Sequence, residues 1–354
     1  MTLWGLRKLG DQVGKAVGVA EDADLASEDR VTAKRRRVTK IVVWTAGSVV
    51  LILIGSVVGF ASVATHTYTS KVTVIKNAFP LSQRVHEVIS VSQAQNILLL
   101  GSDTRGAISS LAAGVLGSRS DTMMLVHIPA DRKNVQVISI LRDSWVDIPG
   151  NGVGKVNWAL SYGALPLAVE TVENIFATKI DHVAVVDFSG FKEITEALDG
   201  VTIDNKVAFS CKGFTFPAGE ITVSGEAALA YVRERKSFSA GDAQRAVNQQ
   251  TFVKGMLTGI LSRDTLTNPA TLLATIDSLA SSLAVDEGLT VGYLTELATS
   301  FSRIATSDIE FFTLPVSGGG RTGPHAYVLL DLVELKLIRT ALSDDTLDDY
   351  IANR

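Results

Sequence analysis

A single cysteine, Cys211, stands among 354 residues. No intrachain disulfide can form, and no paired-cysteine zinc or redox motif exists. The five histidines are scattered, which excludes an imidazole-rich zinc site. The chain also lacks a Walker A loop, a kinase catalytic loop and a GxSxG nucleophile elbow. P-loop and kinase nucleotide chemistry and α/β-hydrolase chemistry are therefore excluded. Positive charge is scarce beyond the N-terminal region, because residues 41–354 carry 24 basic and 31 acidic residues. A broad polyanion-binding surface does not fit that balance, so basic residues that act on a ligand have to be gathered locally.

One stretch lacks charge altogether. Ile41 to Thr65 runs for 25 residues without an ionisable side chain. As a helix rising ~1.5 Å per residue it would span roughly 38 Å, against a bilayer hydrocarbon core of about 30 Å. Six Lys or Arg and no acid lie between Arg30 and Lys40, directly before it. The positive-inside rule then puts the N-terminus in the cytoplasm and everything after about Thr65 outside. Ala61 to Ala64 would also suit a signal cleavage site, but a signal h-region is about 7 to 15 residues long and sits near the start. The basic run could alternatively touch nucleic acid; its position against the apolar stretch assigns it to topology, and no nucleic-acid partner is expected. The expected organisation is a cytoplasmic tail (1–40), a transmembrane helix (41–65), a juxtamembrane stalk (66–94) and an extracytoplasmic domain (95–354).

Within that domain, short apolar runs alternate with helical sequence. Asn96 to Gly101, Thr122 to Ile128 and Val135 to Leu141 read as buried strands. The first opens into Asp103 and Arg105, the second is preceded by Arg119 and Asp121, and the third ends in Arg142 and Asp143. Three Arg/Asp pairs beside consecutive strands point to a common site at one edge of a sheet; the alternative is ordinary surface ion pairing. Lys155 and Asn157 follow, then helices at Pro166 to Ala177 and Phe188 to Leu198 around a strand at His182 to Asp187. Their apolar faces serve as core or line a lipid slot. Strands and turns are expected through Val223, and Ser224 is placed to cap a short helix. Later helices are expected at Ala270 to Leu283, Leu289 to Ile304 and Leu330 to Leu342, with a strand at Ile309 to Leu314 and a loop at Gly318-Gly319-Gly320. The pattern is that of one mixed α/β domain.

The densest local chemistry lies between Tyr231 and Gln250, which contains Arg233, Arg235, Lys236, Asp242, Arg245 and Gln249. Gly241 to Ser262 contains no proline and reads as a helix. At about 100° per residue, Asp242, Arg245 and Gln249 share a stripe with Phe252, Val253, Met256 and Ile260. Gln244, Thr251, Lys254, Thr258 and Ser262 form the opposite, solvent-like face. An inward Arg and Asp are costly unless paired or ligand-bound. The stripe therefore describes either a polar cleft that turns apolar deeper in, or a structural Asp242–Arg245 pair at i, i+3. Planar arginine heads suit phosphate oxygens, and carboxylates such as Asp103 and Asp121 suit Mg²⁺ shared with a phosphate.

In order and spacing, NILLLGSDTRG, SRSDTMML, SILRDSWVDIPG, KVNWALSYG, TVENI with IDHVAVVDFSGFKEITEALDGV, and YVRERKSFSAGDAQRAVNQQTF resemble the LytR-CpsA-Psr family over residues 95–262. The resemblance implies a single α/β/α domain with a central mixed sheet behind one transmembrane helix. It further implies a membrane-held, extracytoplasmic phosphotransferase that moves a glycopolymer from a polyprenyl-pyrophosphate carrier to peptidoglycan or a cell-wall protein. By motif, Asp103 and Asp121 correspond to the Mg²⁺-binding acids. Arg119, Arg142, Arg233, Arg235 and Gln249 correspond to the pyrophosphate-binding set, with Asp242 and Arg245 in support and Arg105 and Lys155 as further substrate contacts. Phe252, Val253 and Met256 would meet the polyprenyl tail, and Asp121 or Asp242 would take the acceptor's proton. The chain departs from the family at Leu141, where proline is usual, and at Asn248, where arginine is common. Asn248 lies off the expected inward stripe and is not assigned as a ligand. A non-catalytic lipid-pyrophosphate binder and a pyrophosphatase acting on the same carrier remain alternatives.

Overall fold

The computed structural model describes residues 59–80, 92–102, 120, 122–187, 191–239, 241–301 and 304–354. The chain divides into two compact units, Met1–Val63 and Ala64–Arg354. In the first, residues 59–63 are described and are helical. Residues 1–58 of the expected tail and span lie outside the described residues, among which no helix is long and apolar enough to cross a membrane.

The second unit opens with a helical stretch over 64–71 and strand β1 (Thr73–Ile75). Next come β2 (Gln95–Ser102), β3 (Thr122–Ile128) and β4 (Val135–Ile140). A hairpin of β5 (Trp145–Ile148) and β6 (Gly152–Lys155) leads into helix α1 (Trp158–Phe176) and strand β7 (His182–Asp187). Helix α2 (Phe191–Ala197) precedes β8 (Val201–Asn205), β9 (Phe209–Cys211), β10 (Phe214–Phe216) and β11 (Gly219–Val223). Helices α3 (Gly225–Arg233), α4 (Asp242–Ile260), α5 (Arg263–Thr267) and α6 (Pro269–Ser281) follow in succession. The chain then passes through β12 (Leu283–Asp286), α7 (Val291–Ser300), β13 (Ile309–Thr313) and a hairpin of β14 (Val316–Thr322) and β15 (His325–Leu330), to α8 (Leu332–Ser343) and α9 (Leu347–Ala352).

Seven strands form one mixed sheet in the order β1-β12-β7-β2-β3-β4-β13. Its central strands are apolar on both faces because both are covered. Leu98, Leu100, Met123, Leu125, Ile138 and Ile140 point into a core shared with α1 and α8. The alternate residues Ile97, Leu99, Met124, Val126, Val135 and Val137 face the other way, where Val253 and Leu257 of α4 and Leu297 of α7 pack. The result is a three-layer α/β/α unit.

A second core lies beside it, built from β8 to β11, α3 and one side of α4. Phe209, Phe216 and Tyr231 meet ring to ring at its centre, and Phe252 is buried in the same cluster. Gly255 lets α4 sit directly on β8: a Cβ there would lie 2.5 Å from the Thr202 carbonyl oxygen.

Several expectations are corrected. The stretch expected as a stalk supplies β1, which pairs in parallel with β12, and buries Ile75 and Ala78 in the main core. Three residues are too few for a strand period to show. Helix α1 starts at Trp158 rather than Pro166; non-helical backbone at Gly163 and Ala164 breaks it, and the expected start marks its second segment. Gly318 to Gly320 is not a loop but part of β14. There the bare backbone permits a close cross-strand approach, since a Cβ on Gly319 would lie 2.6 Å from the Tyr327 oxygen.

Candidate active site

Antiparallel pairing brings three strand ends together. Gly101 at the end of β2 faces Thr122 at the start of β3, and Met123 faces Ile140 at the end of β4. Buried Ser120 is fixed at this edge, its hydroxyl donating to the Gly101 carbonyl at 3.0 Å. Asp103, Arg105, Arg119 and Asp121, expected at the same strand ends, lie outside the described residues.

The N-terminus of α4 closes over this edge. Thr122, Met123, Ser139, Ile140, Leu141, Arg142, Asp242, Arg245, Ala246 and Gln249 line a narrow slot with about 10 Å³ of free space. Arg142 comes from the turn after β4, and its Nη2 lies 3.4 Å from Asp242 Oδ2. Arg245 Nη2 lies 3.0 Å from Asp242 Oδ1, so one carboxylate meets two guanidiniums. Asp242 occupies the first turn of α4, where a negative charge is favoured by the helix dipole. The i, i+3 pair and the polar cleft, alternatives in the sequence, coexist here: the pair lines the cleft.

Two glutamines hold the helix in place. Gln249 donates to the Val232 carbonyl at 3.3 Å, tying α4 to the end of α3 beside Arg233. Gln250 donates to Ser139 Oγ at 2.8 Å and Thr313 Oγ1 at 3.1 Å, tying α4 to β4 and β13. Arg233 is half-buried at the last position of α3, and Arg235 is exposed two residues beyond. Neither lines the slot among the described residues. Lys155 ion-pairs with Asp143, the residue after Arg142, at 2.9 Å.

The expected apolar continuation is not a single face. Phe252 is fully buried in the second core, Met256 packs against that same core, and Val253 packs on the sheet. Helix α4 is enclosed on more than one side, which divides the predicted stripe between two cores. The same enclosure buries Asn248, expected off the inward stripe: it is 2% exposed, its Oδ1 accepts from Gln244 at 3.1 Å, and its Nδ2 has no hydrogen-bond partner. One sequence signal marks this, since no charged residue occurs between Arg245 and Lys254. Among the described residues no group of three or more His, Cys, Asp or Glu is placed to hold a metal.

The slot sits at the strand ends of an α/β/α domain and is rich in donors, because each guanidinium brings about five N–H donors against the two oxygens of a carboxylate. Residues 60–342 match the LytR_cpsA_psr family, and the chain belongs to that family. It is 30% identical over 273 residues to the cell wall biosynthesis protein LcpA of Corynebacterium glutamicum, a match covering 66% of this chain but only 52% of LcpA. It is 34% identical over 235 residues to the polyisoprenyl-teichoic acid--peptidoglycan teichoic acid transferase TagU of Oceanobacillus iheyensis, covering 64% of this chain and 70% of that protein. The crystal structure of B. subtilis TagV superposes with a TM-score of 0.59 at 26% identity, covering 72% of this chain and 98% of that one.

Proposed function

We propose that this chain is a membrane-anchored, extracytoplasmic transferase that moves a glycopolymer from a polyprenyl-pyrophosphate carrier onto a cell-envelope acceptor through a phosphodiester. The acceptor is peptidoglycan or a wall protein. The observation that carries the reading is the Arg142–Asp242–Arg245 arrangement lining a slot at the converging ends of β2, β3 and β4. Family membership and the names of LcpA and TagU support it.

In this reading Arg142 and Arg245 orient and neutralise the pyrophosphate, with Arg119, Arg233 and Arg235 completing the cationic set and Arg105 and Lys155 touching substrate. An acceptor hydroxyl attacks the sugar-linked phosphorus, and the bond from that phosphorus to polyprenyl phosphate breaks. Both oxygens of Asp242 face guanidiniums, so its role is to position them, and the acceptor's proton passes to Asp121. Mg²⁺, held by Asp103 and Asp121, would supply further neutralisation of the departing phosphate. The buried Thr122 Oγ1, which has no hydrogen-bond partner at this strand end, fits such an oxygen-lined site. Phosphoryl transfer asks mainly for positioning and charge neutralisation, which this set of residues is suited to give.

The test uses the full chain with a polyprenyl-pyrophosphate oligosaccharide and peptidoglycan fragments, with and without Mg²⁺, read by mass spectrometry. A Mg²⁺-dependent product carrying sugar-phosphate on the acceptor is the expected result. Lipid binding without product would replace this reading with a non-catalytic binder, and sugar phosphate released into water would replace it with a pyrophosphatase.

A further inference from the structure

Next to the slot, five rings from three elements meet. Trp145 of β5 stacks on Tyr327 of β15, with centroids 4.6 Å apart and planes at 27°. Trp158, at the start of α1, meets Trp145 edge-on at 5.9 Å, His325 edge-on at 5.1 Å and Tyr162 at 6.2 Å. Two glycines make room: a Cβ on Gly154 would lie 2.8 Å from the Trp158 ring, and one on Gly320 would lie 2.7 Å from the Tyr327 ring.

Rings that only welded two hairpins together would be buried. Here Tyr162 is 47% exposed, His325 is exposed, and Trp145, Trp158 and Tyr327 are each partly open. Aromatic side chains left half in water, with an apolar body and a polar tip, mark binding surfaces. The cluster is also continuous with the slot through the backbone. Asn157 N–H donates to the Arg142 carbonyl at 3.3 Å, Val156 N–H to the Ser144 carbonyl at 2.8 Å, and Val328 N–H to the Asp143 carbonyl at 3.0 Å. Two of the segments that carry the rings, the lead-in to α1 and β15, are thus hydrogen-bonded to residues 142–144, and the third begins at Trp145, the next residue of the chain; 142–144 is the turn that presents the Arg142 guanidinium to Asp242.

We propose that Trp145, Trp158, Tyr162, His325 and Tyr327 form a saccharide platform that holds a pyranose ring of a glycan beside the anion slot. The axial C–H groups of a pyranose carry slight positive charge and pack on the negative face of an aromatic ring. The Lys155–Asp143 pair at the platform's edge offers a donor and an acceptor to sugar hydroxyls. The occupant is the glycan of the acceptor, and this assignment rests on the envelope-transferase reading above. β-1,4-linked N-acetylhexosamine chains, which present flat C–H faces, are the ligand class.

The chain contains four tryptophans, and outside the platform these are Trp4 and Trp44. With Trp4→Phe and Trp44→Phe in place, emission from the full chain in lipid nanodiscs reports Trp145 and Trp158 alone. Titration with chitotetraose is expected to give a saturable emission change that maltotetraose does not give. Tyr162→Ala, at an exposed position, weakens it about two- to tenfold; Gly320→Ala, which displaces the Tyr327 ring, weakens it as well. An emission unmoved by chitotetraose up to its solubility limit, or an affinity unchanged in both variants, overturns the platform. Transfer is measured on the same preparations. Wild-type transfer without sugar-dependent emission removes the platform and leaves the transferase, whereas sugar binding without any transfer does the reverse.

Discussion

Asp242 binds Arg142 across a separation of 100 residues and binds Arg245 within its own helix. One carboxylate therefore sets the distance between a guanidinium on the sheet edge and a guanidinium on α4. If positioning is its role, Asp242→Ala leaves both arginines present but unregistered. Transfer is expected to fall about 100-fold, the scale of a ~1 Å misplacement at a reacting centre. Turnover of a polyprenyl-pyrophosphate oligosaccharide measures this, with circular dichroism as the control for folding. Undiminished turnover would remove Asp242 from the site.

Arg142→Ala tests the same site from the other side. In the proposed reading the substitution removes charge from where the phosphate develops it, and a loss of about 10²–10³ in kcat is expected, as for removal of a single oxyanion donor. Wild-type turnover in this variant would mean that the slot is not where the pyrophosphate sits.

Gln250 is a structural counterpart. Its amide reaches Ser139 on β4 and Thr313 on β13 from the buried side of α4. Gln250→Ala leaves those hydroxyls without this partner and is expected to cost about 1–3 kcal/mol. Thermal unfolding followed by near-UV circular dichroism reads it, and an unchanged melting temperature would show that the clamp contributes nothing.

Gly255→Ala addresses how closely α4 rides on β8. The added methyl would lie 2.5 Å from the Thr202 carbonyl oxygen and 2.9 Å from Ile203 Cγ2. The helix has to lift, at about 1–3 kcal/mol, and transfer falls with stability because Asp242 and Arg245 ride on the same helix. Loss of stability with full activity would separate the seat of α4 from the slot.

Cys211 gives a pH test. Burial first, and then the neighbouring Glu234 carboxylate, push its thiol up to about 11. Because the thiolate is the reactive form, alkylation of the folded chain at neutral pH is expected to be slow, rising towards pH 11 and jumping on unfolding. Labelling with iodoacetamide, quantified by mass spectrometry, decides this; rapid modification of folded protein at pH 7 would contradict it.

Much of the sheet was legible. Thr122–Ile128 and His182–Asp187 are strands at the expected bounds, and the apolar runs before Asp103 and Arg142 are the neighbours of the first of these. Those strands are buried on both faces, so their composition alone declares them. The convergence of strand ends was legible as well, because an Arg/Asp pair recurred at each. What escaped was set by tertiary contact. β1 exists only because β12 is there to pair with it, and β14 is glycine-rich where a strand period has nothing to display. Asn248 and Phe252 illustrate the same limit on α4. A 3.6-residue period describes a helix with one covered face, and this helix is covered by the sheet on one side and by β8 on another.

The two edges of the sheet have a consequence for how the chain is made. Thr73 pairs with Ala284, and Val135 pairs with Ile309. A polypeptide growing from its N-terminus therefore holds β1 without its neighbour until residue 286 has emerged, and β4 with one flank open until residue 313 has. Unpaired strand edges invite association with other chains, and long-range pairing is slow to form. The consecutive strands β2, β3 and β4 can pair early, but the sheet is completed late, once β12 and β13 have been delivered.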